Sequence, residues 1–207
     1  MPADCFRVTS LSPLLVVCGS LKPAVGREEP SACRELLKLG LAPVVGLYPS
    51  IETLDLREAR LPAFDGREPW EYDHPALVAA RTAVEAAAGY VFSVPAYWGG
   101  IGAAFKNFIE TVCGPGYDGR GSPFAEKPAA ALIVGSEPRA ARAAAPQLEA
   151  VLDALGLVLV SSPIIVGDPG DLVDVARAVQ ELTAAAASVV LALPVVLAMK
   201  NPAEQEQ

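Results

Sequence analysis

The stretch of sequence that decides the fold is residues 90–110, which read YVFSVPAYWGGIGAAFKNFIE. The first five residues are an apolar run that predicts a β-strand, and the last ten predict an amphipathic helix. The loop between them is rich in glycine and aromatic residues. At the carboxyl end of a parallel strand, such a loop opens onto a binding crevice. Its glycines let a ligand approach the backbone, and Tyr97 and Trp98 offer flat surfaces for stacking.

The composition favours a single globular domain with a sizeable core. The chain has 207 residues, 52% of them apolar, and a formal net charge of −8. The length suggests one domain, with a second not excluded. The negative charge argues against nucleic acid or an anionic membrane surface as the main partner, while a local basic pocket for a phosphate remains compatible with it.

The cysteines predict no metal centre. The chain has four, Cys5, Cys18, Cys33 and Cys113, without a C-x-x-C pair, and a single histidine, which is too few for a familiar zinc cluster. We therefore expect buried or idle thiols in a reducing cytoplasm. The alternative is a redox or catalytic cysteine, and Cys18 and Cys113 are the better candidates because they flank predicted loops.

Neither end of the chain favours a targeting or membrane segment. Residues 1–10 carry a single basic residue and Pro13 interrupts the apolar run that follows, so we expect no signal peptide. Residues 182–199 are 18 positions without a charge, which meets the length of a membrane span. Because Pro194 breaks this run and no basic cluster flanks it, we favour a last helix followed by an apolar tail that packs on the core or on a partner subunit.

Strand-like runs alternate with helical patterns. The first, third and fourth strands are predicted at residues 14–18, 90–94 and 129–134, and a fifth begins at Leu157 and reaches Val160 or Val166. Helices are predicted from a cap at Ser31, over residues 75–88, 101–112 and 138–155 with a kink or break at Pro146, and from Asp171 onward.

The second strand has two interpretations. If the first helix ends at Gly40, the strand is Val44–Leu47. If the helix continues past a kink near Pro43, the strand is Ile51–Leu56, which the turn-like residues 61–66 favour.

The alternation of strands and helices predicts βαβ units and a parallel sheet covered on both faces. We predict an α/β fold in three layers, with a doubly wound five-stranded sheet in the order 2-1-3-4-5. A single domain would span residues 1–207, with its core at about residues 11–192 and a tail at 193–207. The ligand site would lie at the carboxyl ends of strands one, three and four.

The first strand-end loop, residues 19–31, leads into a helix, whose free N–H groups and dipole favour an anion. Ser20 and Ser31 can add hydroxyl donors, and Lys22 or Arg27 can supply positive charge. The loop is neither a Walker P-loop nor a G-x-G-x-x-G fingerprint, so an ordinary strand–helix connection is the alternative.

The other two loops are residues 95–100 and residues 135–137. For the first of these, a tight turn with aromatic packing is the alternative, and the second is a weak signal by itself. A phosphate at residues 19–31 and a planar ring between these two loops would suit a mononucleotide such as FMN.

From about Leu14 to Val166 the sequence resembles the NADPH-dependent FMN reductase family, a flavodoxin-like group that includes quinone, azo-dye and chromate reductases. The most specific piece is Pro-x-Tyr-x-Gly at residues 95–99 followed by Lys106-Asn107. Weaker pieces occur in family order at residues 18–22 with Ser31, residues 55–57 before residues 61–65, and residues 124–128 before strand four.

This resemblance implies a flavodoxin-like fold, bound FMN, and transfer of hydride from NADPH or NADH through the flavin to a small acceptor such as a quinone or free flavin. It implies no catalytic side chain, because the flavin carries the chemistry. It also implies a homodimer or homotetramer with the flavin near the subunit interface.

By position, the resemblance assigns the FMN phosphate to Ser20, Lys22 and Ser31, and lets Lys106 and Asn107 brace the aromatic loop. Gly135 and Ser136 would approach the flavin ring from the other side. The residues expected to line the isoalloxazine are Pro95, Ala96, Tyr97, Trp98, Gly99 and Gly100.

The chain departs from the family pattern at three places. The family usually has arginine at Lys22 and a serine three residues later, whereas Ser31 follows nine residues later, and Arg27 is the candidate for the missing guanidinium. Trp98 stands where the family has asparagine. Residues 137–139 replace a glycine-rich stretch, which puts ordinary NADPH binding at this loop in question.

Two other functions stay open on these residues. The altered loops favour a specialised flavoenzyme of a metabolic pathway, or a flavin reductase that partners a monooxygenase. A non-enzymatic protein is the other alternative. An electron carrier would bind FMN tightly but oxidise NADPH poorly, and a flavin-free binding module would purify colourless.

Overall fold

The computed structural model describes residues 12–23, 31–48, 50–116 and 121–200, with side chains described as far as Leu193. The strands are β1 (Leu14–Cys18), β2 (Ile51–Asp55), β3 (Gly89–Tyr97), β4 (Gly100–Ile101), β5 (Pro128–Val134), β6 (Val158–Leu159) and β7 (Ile164–Val166). The helices are α1 (Ala32–Leu41), α2 (Leu56–Ala59), α3 (Pro75–Ala86), α4 (Ala103–Cys113), α5 (Pro138–Ala154) and α6 (Leu172–Lys200), with a short 3₁₀ helix at Pro69–Glu71.

The strands form one mostly parallel sheet in the order β2-β1-β3-β5-β6, with β7 also paired to β5 and β4 paired antiparallel to β3. In register, Cys18 lies opposite Asp55 on one side and Ser93 on the other, and Pro95 lies opposite Val134. The carboxyl ends of β1, β2, β3 and β5 therefore meet at one edge. The predicted α/β class is confirmed, and the outermost position is shared by β6 and β7.

Several predicted boundaries are wrong for local reasons. The first helix ends at Leu41 and does not continue past Pro43, which corrects one part of the favoured interpretation. Residues 42–47 form turns, so the strand at residues 44–47 is not found. The second strand begins at Ile51, as the favoured interpretation predicted. Helix α4 begins at Ala103 because Gly100 and Ile101 pair back onto β3 as a hairpin.

Prolines account for other differences. The fifth predicted strand is divided into β6 and β7 by a segment, residues 160–163, that includes Pro163. Helix α5 is continuous through Pro146, and α6 is continuous through Pro194, where the sequence had predicted breaks.

The core lies on both faces of the sheet because side chains alternate along each strand. Leu15 and Val17 of β1 pack with α3, α4 and α5, whereas Leu14 and Val16 pack with α1 and α6. The first of these two clusters holds a group of aromatic rings in mutual contact, formed by Tyr90, Phe92, Phe105, Phe108 and Phe124.

Helix α6 is long and apolar enough to cross a membrane by length and composition alone, over Leu172–Leu193. One face of this helix packs in the core. A buried stripe, which includes Leu182 and Val189, faces α1 and the sheet, and Arg177 pairs with Glu181 on the exposed side. An amphipathic helix with a charged outer face is typical of a globular domain.

Candidate functional site

A cavity of about 510 Å³ opens at the carboxyl edge of the sheet, between the amino-terminal halves of α1 and α6. We call it the carboxyl-edge cavity. Three strand-end loops and the beginning of α1 form most of its wall. Its lining residues are Ser20, Lys22, Ala32, Cys33, Glu35, Leu36, Leu39, Pro95, Ala96, Tyr97, Val134, Gly135, Ser136, Asp168, Pro169, Gly170 and Val175.

The structure brings together seven of the residues predicted for the site in this cavity: Ser20, Lys22, Pro95, Ala96, Tyr97, Gly135 and Ser136. Trp98 and Gly99 do not line the cavity, and Gly100 lines a separate groove between α4 and α5. Ser31 is buried at the amino end of α1, beside the cavity wall formed by Ala32. Arg27 lies outside the described residues.

Within the described part of the chain, the hydroxyl of Ser31 at the start of α1 has no hydrogen-bond partner. The residue occupies the N-cap position, and its backbone carbonyl accepts from the N–H groups of Arg34 and Glu35. Its side chain makes no cap bond, however, although Ser31 is only 1% exposed and its Oγ is fully enclosed. Buried polar groups are nearly always hydrogen-bonded, so an unpartnered hydroxyl at a helix amino terminus marks a candidate ligand contact.

Arg34 organises the loop that precedes it. Its Nη2 donates to the carbonyl of Ser20 at 3.0 Å, and its Nη1 donates to the carbonyl of Lys22. The same guanidinium binds Asp55 at the end of β2, with Nη2 to Oδ1 at 2.8 Å. One side chain thus fixes the loop after β1 against the neighbouring strand, in the bidentate geometry that arginine favours with carboxylates.

The electrostatics of Asp55 follow from this pairing. Burial alone would raise the pKa of Asp55, but hydrogen bonds from Arg34 and from the backbone N–H of Arg57 lower it below its ordinary value. The carboxylate is therefore charged at neutral pH. It also caps α2 through its bond with the N–H of Arg57, at 2.9 Å.

The aromatic loop is a two-residue hairpin between β3 and β4. Trp98 and Gly99 both have positive φ, 54° and 76°, which is the pattern of a type I′ turn. From α5, the Nε2 of Gln147 donates to the carbonyl of Gly99 at 3.0 Å and holds the turn. Tyr97 is 46% exposed at the rim of the cavity, so one part of its ring is open to a ligand.

Asn107 holds the loop at residues 62–64, whereas the aromatic loop at residues 95–100 was expected. Its Oδ1 accepts from the N–H of Phe64 at 2.8 Å, and its Nδ2 donates to the carbonyl of Pro62 at 2.8 Å. Lys106 pairs with Glu110 one turn along α4. Neither side chain lines the carboxyl-edge cavity.

Gly135 allows the backbone to turn sharply from β5 into α5. A Cβ at this position would lie 2.9 Å from the backbone nitrogen of Ala141. Because the residue has no side chain, backbone forms this part of the cavity wall, next to Ser136.

Three cysteine thiols of the described residues have raised pKa values, and one of them, Cys33, lines the carboxyl-edge cavity. Cys18 and Cys33 are buried, and burial raises the pKa of the Cys33 thiol to about 12. Burial also raises the pKa of Cys18, and that of Cys113 to about 11. Since the thiolate is the nucleophile, a raised pKa lowers the share of the reactive form at neutral pH. Among the described residues no group of three metal-ligating side chains is found.

Sequence reasoning missed Arg34, Asp55 and Gln147 as organisers of this site. Arg34 left one local signal: it is a cation in the first turn of α1, where the helix dipole disfavours positive charge. A residue that contradicts its local preference often serves a tertiary role.

The fold and this cavity define a flavodoxin-like α/β protein with a ligand site at the strand carboxyl ends. Residues 13–171 match the family of NADPH-dependent FMN reductases, so the chain belongs to that family. It is an NAD(P)H-dependent flavin oxidoreductase whose flavin is FMN. A search of curated proteins finds no match.

Solved structures share the fold at low identity. The flavoenzyme NAD(P)H:(acceptor) oxidoreductase FerB of Paracoccus denitrificans has 18% identity and a TM-score of 0.62, covering 88% of this chain and 97% of its own. An azoreductase from Bacillus anthracis has 18% identity and a TM-score of 0.63, covering 86% and 99%. Oxidised flavodoxin 1 from Bacillus cereus has 17% identity and a TM-score of 0.53, covering 86% and 97%.

Proposed function

We propose that this protein passes two electrons from NADPH or NADH through FMN to a small acceptor, either a quinone or a free flavin. With a quinone, the overall reaction consumes one NAD(P)H, one proton and one quinone, and forms NAD(P)⁺ and the hydroquinone. FMN, when bound, supplies the hydride chemistry, and the protein supplies binding and orientation.

The observation that carries this proposal is the buried, unpartnered hydroxyl of Ser31 beside the carboxyl-edge cavity. A phosphate is the ligand that a helix amino terminus and a free hydroxyl would recognise. Ser20 and Lys22 lie in the same loop, which Arg34 holds in place. We assign these residues to the FMN phosphate.

The ring of the flavin would lie against the other end of the cavity. Pro95, Ala96 and Tyr97 supply one wall, and the Tyr97 ring is open for contact. Gly135 and Ser136 supply another part of the wall, where backbone can approach closely. Backbone N–H groups in these loops are suited to stabilise negative charge on the reduced ring.

The test is the visible absorption spectrum of the purified protein, before and after addition of FMN and then of NADPH without oxygen. We expect flavin bands at about 370 and 450 nm that bleach with NADPH and return when a quinone is added. Bands that persist with NADPH and NADH would identify an electron carrier. After incubation with FMN and removal of unbound flavin by gel filtration, the absence of flavin bands from the protein fraction would overturn the proposal.

We further propose a cytoplasmic homodimer built from a single domain. The cysteines of the described part, Cys18, Cys33 and Cys113, are free thiols, as in a reducing compartment. Leu172 and Leu191 project from α6 with about four-fifths of their surface exposed, and such large apolar side chains suit a subunit contact. Sedimentation analysis of the wild type and of Leu191→Glu tests this, and an unchanged mass would count against α6 as the contact.

A further inference from the structure

Trp98 is held at the tip of the β3–β4 hairpin with its indole in solvent. Its exposed fraction is 104%, the highest among the exposed large apolar side chains of the described residues. Its backbone is in the left-handed region, with φ at 54°. The next residue, Gly99, also has positive φ, so the two residues form the whole turn.

This placement contradicts the local preference of the chain. Type I′ turns strongly favour asparagine, aspartate or glycine at the first central position, because those residues tolerate positive φ. A tryptophan there is strained and gains no burial in return. Residues that break a local rule without a structural benefit cluster at functional positions, which makes Trp98 a candidate for one.

The turn is fixed from two directions. Gln147 of α5 donates to the carbonyl of Gly99 at 3.0 Å, and the N–H of Gly102 donates to the carbonyl of Pro95 at 2.7 Å. The hairpin therefore presents the indole from a defined backbone position, directly after Tyr97 at the rim of the carboxyl-edge cavity. We call the two consecutive exposed aromatic residues Tyr97 and Trp98 the aromatic ledge, of which Tyr97 lines the cavity.

The size of this ledge favours a small flat ligand as its occupant. At the hairpin the exposed large apolar side chains are Tyr97 and Trp98, followed by two glycines. A stable contact with a second protein copy buries about 800 Å² on each side. Two exposed aromatic side chains offer far less area, and an exposed indole is suited to stack on a planar aromatic molecule.

We propose that Trp98 is a specificity-determining residue whose indole stacks on flat aromatic acceptors, naphthoquinones foremost, while they are reduced. This inference rests on the proposed function, because it names the acceptor class of the same site. Trp98 stands where the family has asparagine, and its indole does not line the cavity assigned to FMN. We therefore assign the indole to the acceptor and not to the cofactor.

The decisive variant is Trp98→Asn, because asparagine suits the turn and removes only the ring. We expect the ratio of kcat/KM for menadione to kcat/KM for ferricyanide, which is not planar, to fall about 3- to 10-fold in this variant. In Trp98→Phe, which keeps an aromatic ring, this ratio should stay close to the wild-type value. The matched control is Trp70→Phe, since Trp70 lines a cavity with Arg81 and Leu155 rather than the carboxyl-edge cavity. An unchanged ratio in Trp98→Asn would overturn the proposal.

A stability measurement separates acceptor binding from a structural role. Relief of strain predicts that Trp98→Asn melts at a temperature equal to the wild type or about 2 °C higher. A melting temperature several degrees lower in both Trp98→Asn and Trp98→Phe would mean that the indole serves the fold, and would overturn the proposal.

Binding can also be tested without turnover. The chain has two tryptophans, so Trp70→Phe leaves Trp98 as the single indole fluorophore. Saturable quenching of its fluorescence by oxidised menadione, in flavin-loaded protein without NADPH, would support stacking. Quenching no stronger than that of free tryptophan amide would overturn it. If the wild type fails to oxidise NAD(P)H with added FMN, the proposed function falls, while this titration still decides whether Trp98 binds the flat ligand.

Discussion

At the scale of single residues, the buried hydroxyl of Ser31 has no hydrogen-bond partner among the described residues. We predict that Ser31→Ala binds FMN about tenfold more weakly or worse, because a hydrogen bond to a charged group contributes about 1.5–3 kcal/mol. The free energy of unfolding without FMN should change by less than about 0.5 kcal/mol, since no cap bond is lost. Flavin titration and urea unfolding measure the two quantities.

The control for Ser31 is Ser188→Ala on the exposed side of α6, whose hydroxyl donates only to the carbonyl one turn earlier. It should leave FMN affinity unchanged. If Ser31→Ala instead lowered stability by more than 1 kcal/mol and left affinity intact, the hydroxyl would be a helix cap and the phosphate assignment would fail.

The Arg34–Asp55 pair gives a prediction about pH. We expect Asp55→Asn to lower the free energy of unfolding by about 2 kcal/mol at pH 7, because a charged, partly buried hydrogen-bonded pair is broken. The pKa of Asp55 is depressed in the folded protein, so this stability is present above its ordinary value of 3.8 and is lost as pH falls through the folded pKa.

Unfolding at a series of pH values should therefore show the difference between wild type and Asp55→Asn shrinking below about pH 4. Glu58→Gln provides the comparison, because Glu58 is 75% exposed and its ion pair with Arg57 is 3.9 Å long. A gap between wild type and Asp55→Asn that stays constant down to pH 2 would contradict the assignment of the effect to the charge.

Some residues of the site could be predicted from the sequence and others could not, and the two groups differ in how they are positioned. Ser20, Tyr97 and Gly135 follow directly from strand ends, because the carboxyl edge of a parallel sheet gathers its loops. Arg34 and Gln147 act through hydrogen bonds to backbone atoms 12–14 and 48 residues away, and no local pattern encodes such partners.

At the scale of elements, apolar runs predicted the strands well because both faces of the sheet are covered. A tight turn within residues 95–100 was predicted only as the alternative. The pairing of β4 with β3 was not predicted, since two residues are too short to show alternation and Trp98 hides the usual Asn-Gly or Gly-Gly turn signal. The prolines caused the opposite error. A kink or break was predicted at Pro146, but α5 is continuous through this residue.

The contact between α1 and α6 yields a prediction for Gly40. A Cβ on Gly40 would lie 2.6 Å from Cδ2 and 3.1 Å from Cβ of Leu182, so alanine there forces the helices apart. We expect Gly40→Ala to destabilise the protein by about 1–2 kcal/mol despite the higher helix propensity of alanine. Chemical unfolding measures this.

Gly46→Ala is the matched control for Gly40, because nothing lies within 4 Å of a Cβ at that position. Its stability should stay within about 0.5 kcal/mol of the wild type. If the two substitutions destabilised the protein equally, the contact between α1 and α6 would not be the cause of the effect at residue 40.

At the scale of the whole molecule, FMN should stabilise the fold, because it binds the folded chain and not the unfolded one. FMN at 100 times its Kd adds about 2.7 kcal/mol, which raises the melting temperature by about 5–10 °C. Riboflavin at the same concentration should give a much smaller shift, since it lacks the phosphate assigned to residues 20–31. Equal shifts with both ligands would contradict a phosphate site in that loop.

The contact between α1 and α6 also constrains the order of folding. The hydroxyl of Thr183 donates to the carbonyl of Gly40 at 2.8 Å, across 143 residues of chain. Because the ribosome synthesises the chain from its amino end, α1 emerges long before α6, the helix that covers it. We therefore expect the apolar face of α1 to wait uncovered until synthesis is nearly complete, so that chaperone contact in the cell concentrates on this first helix.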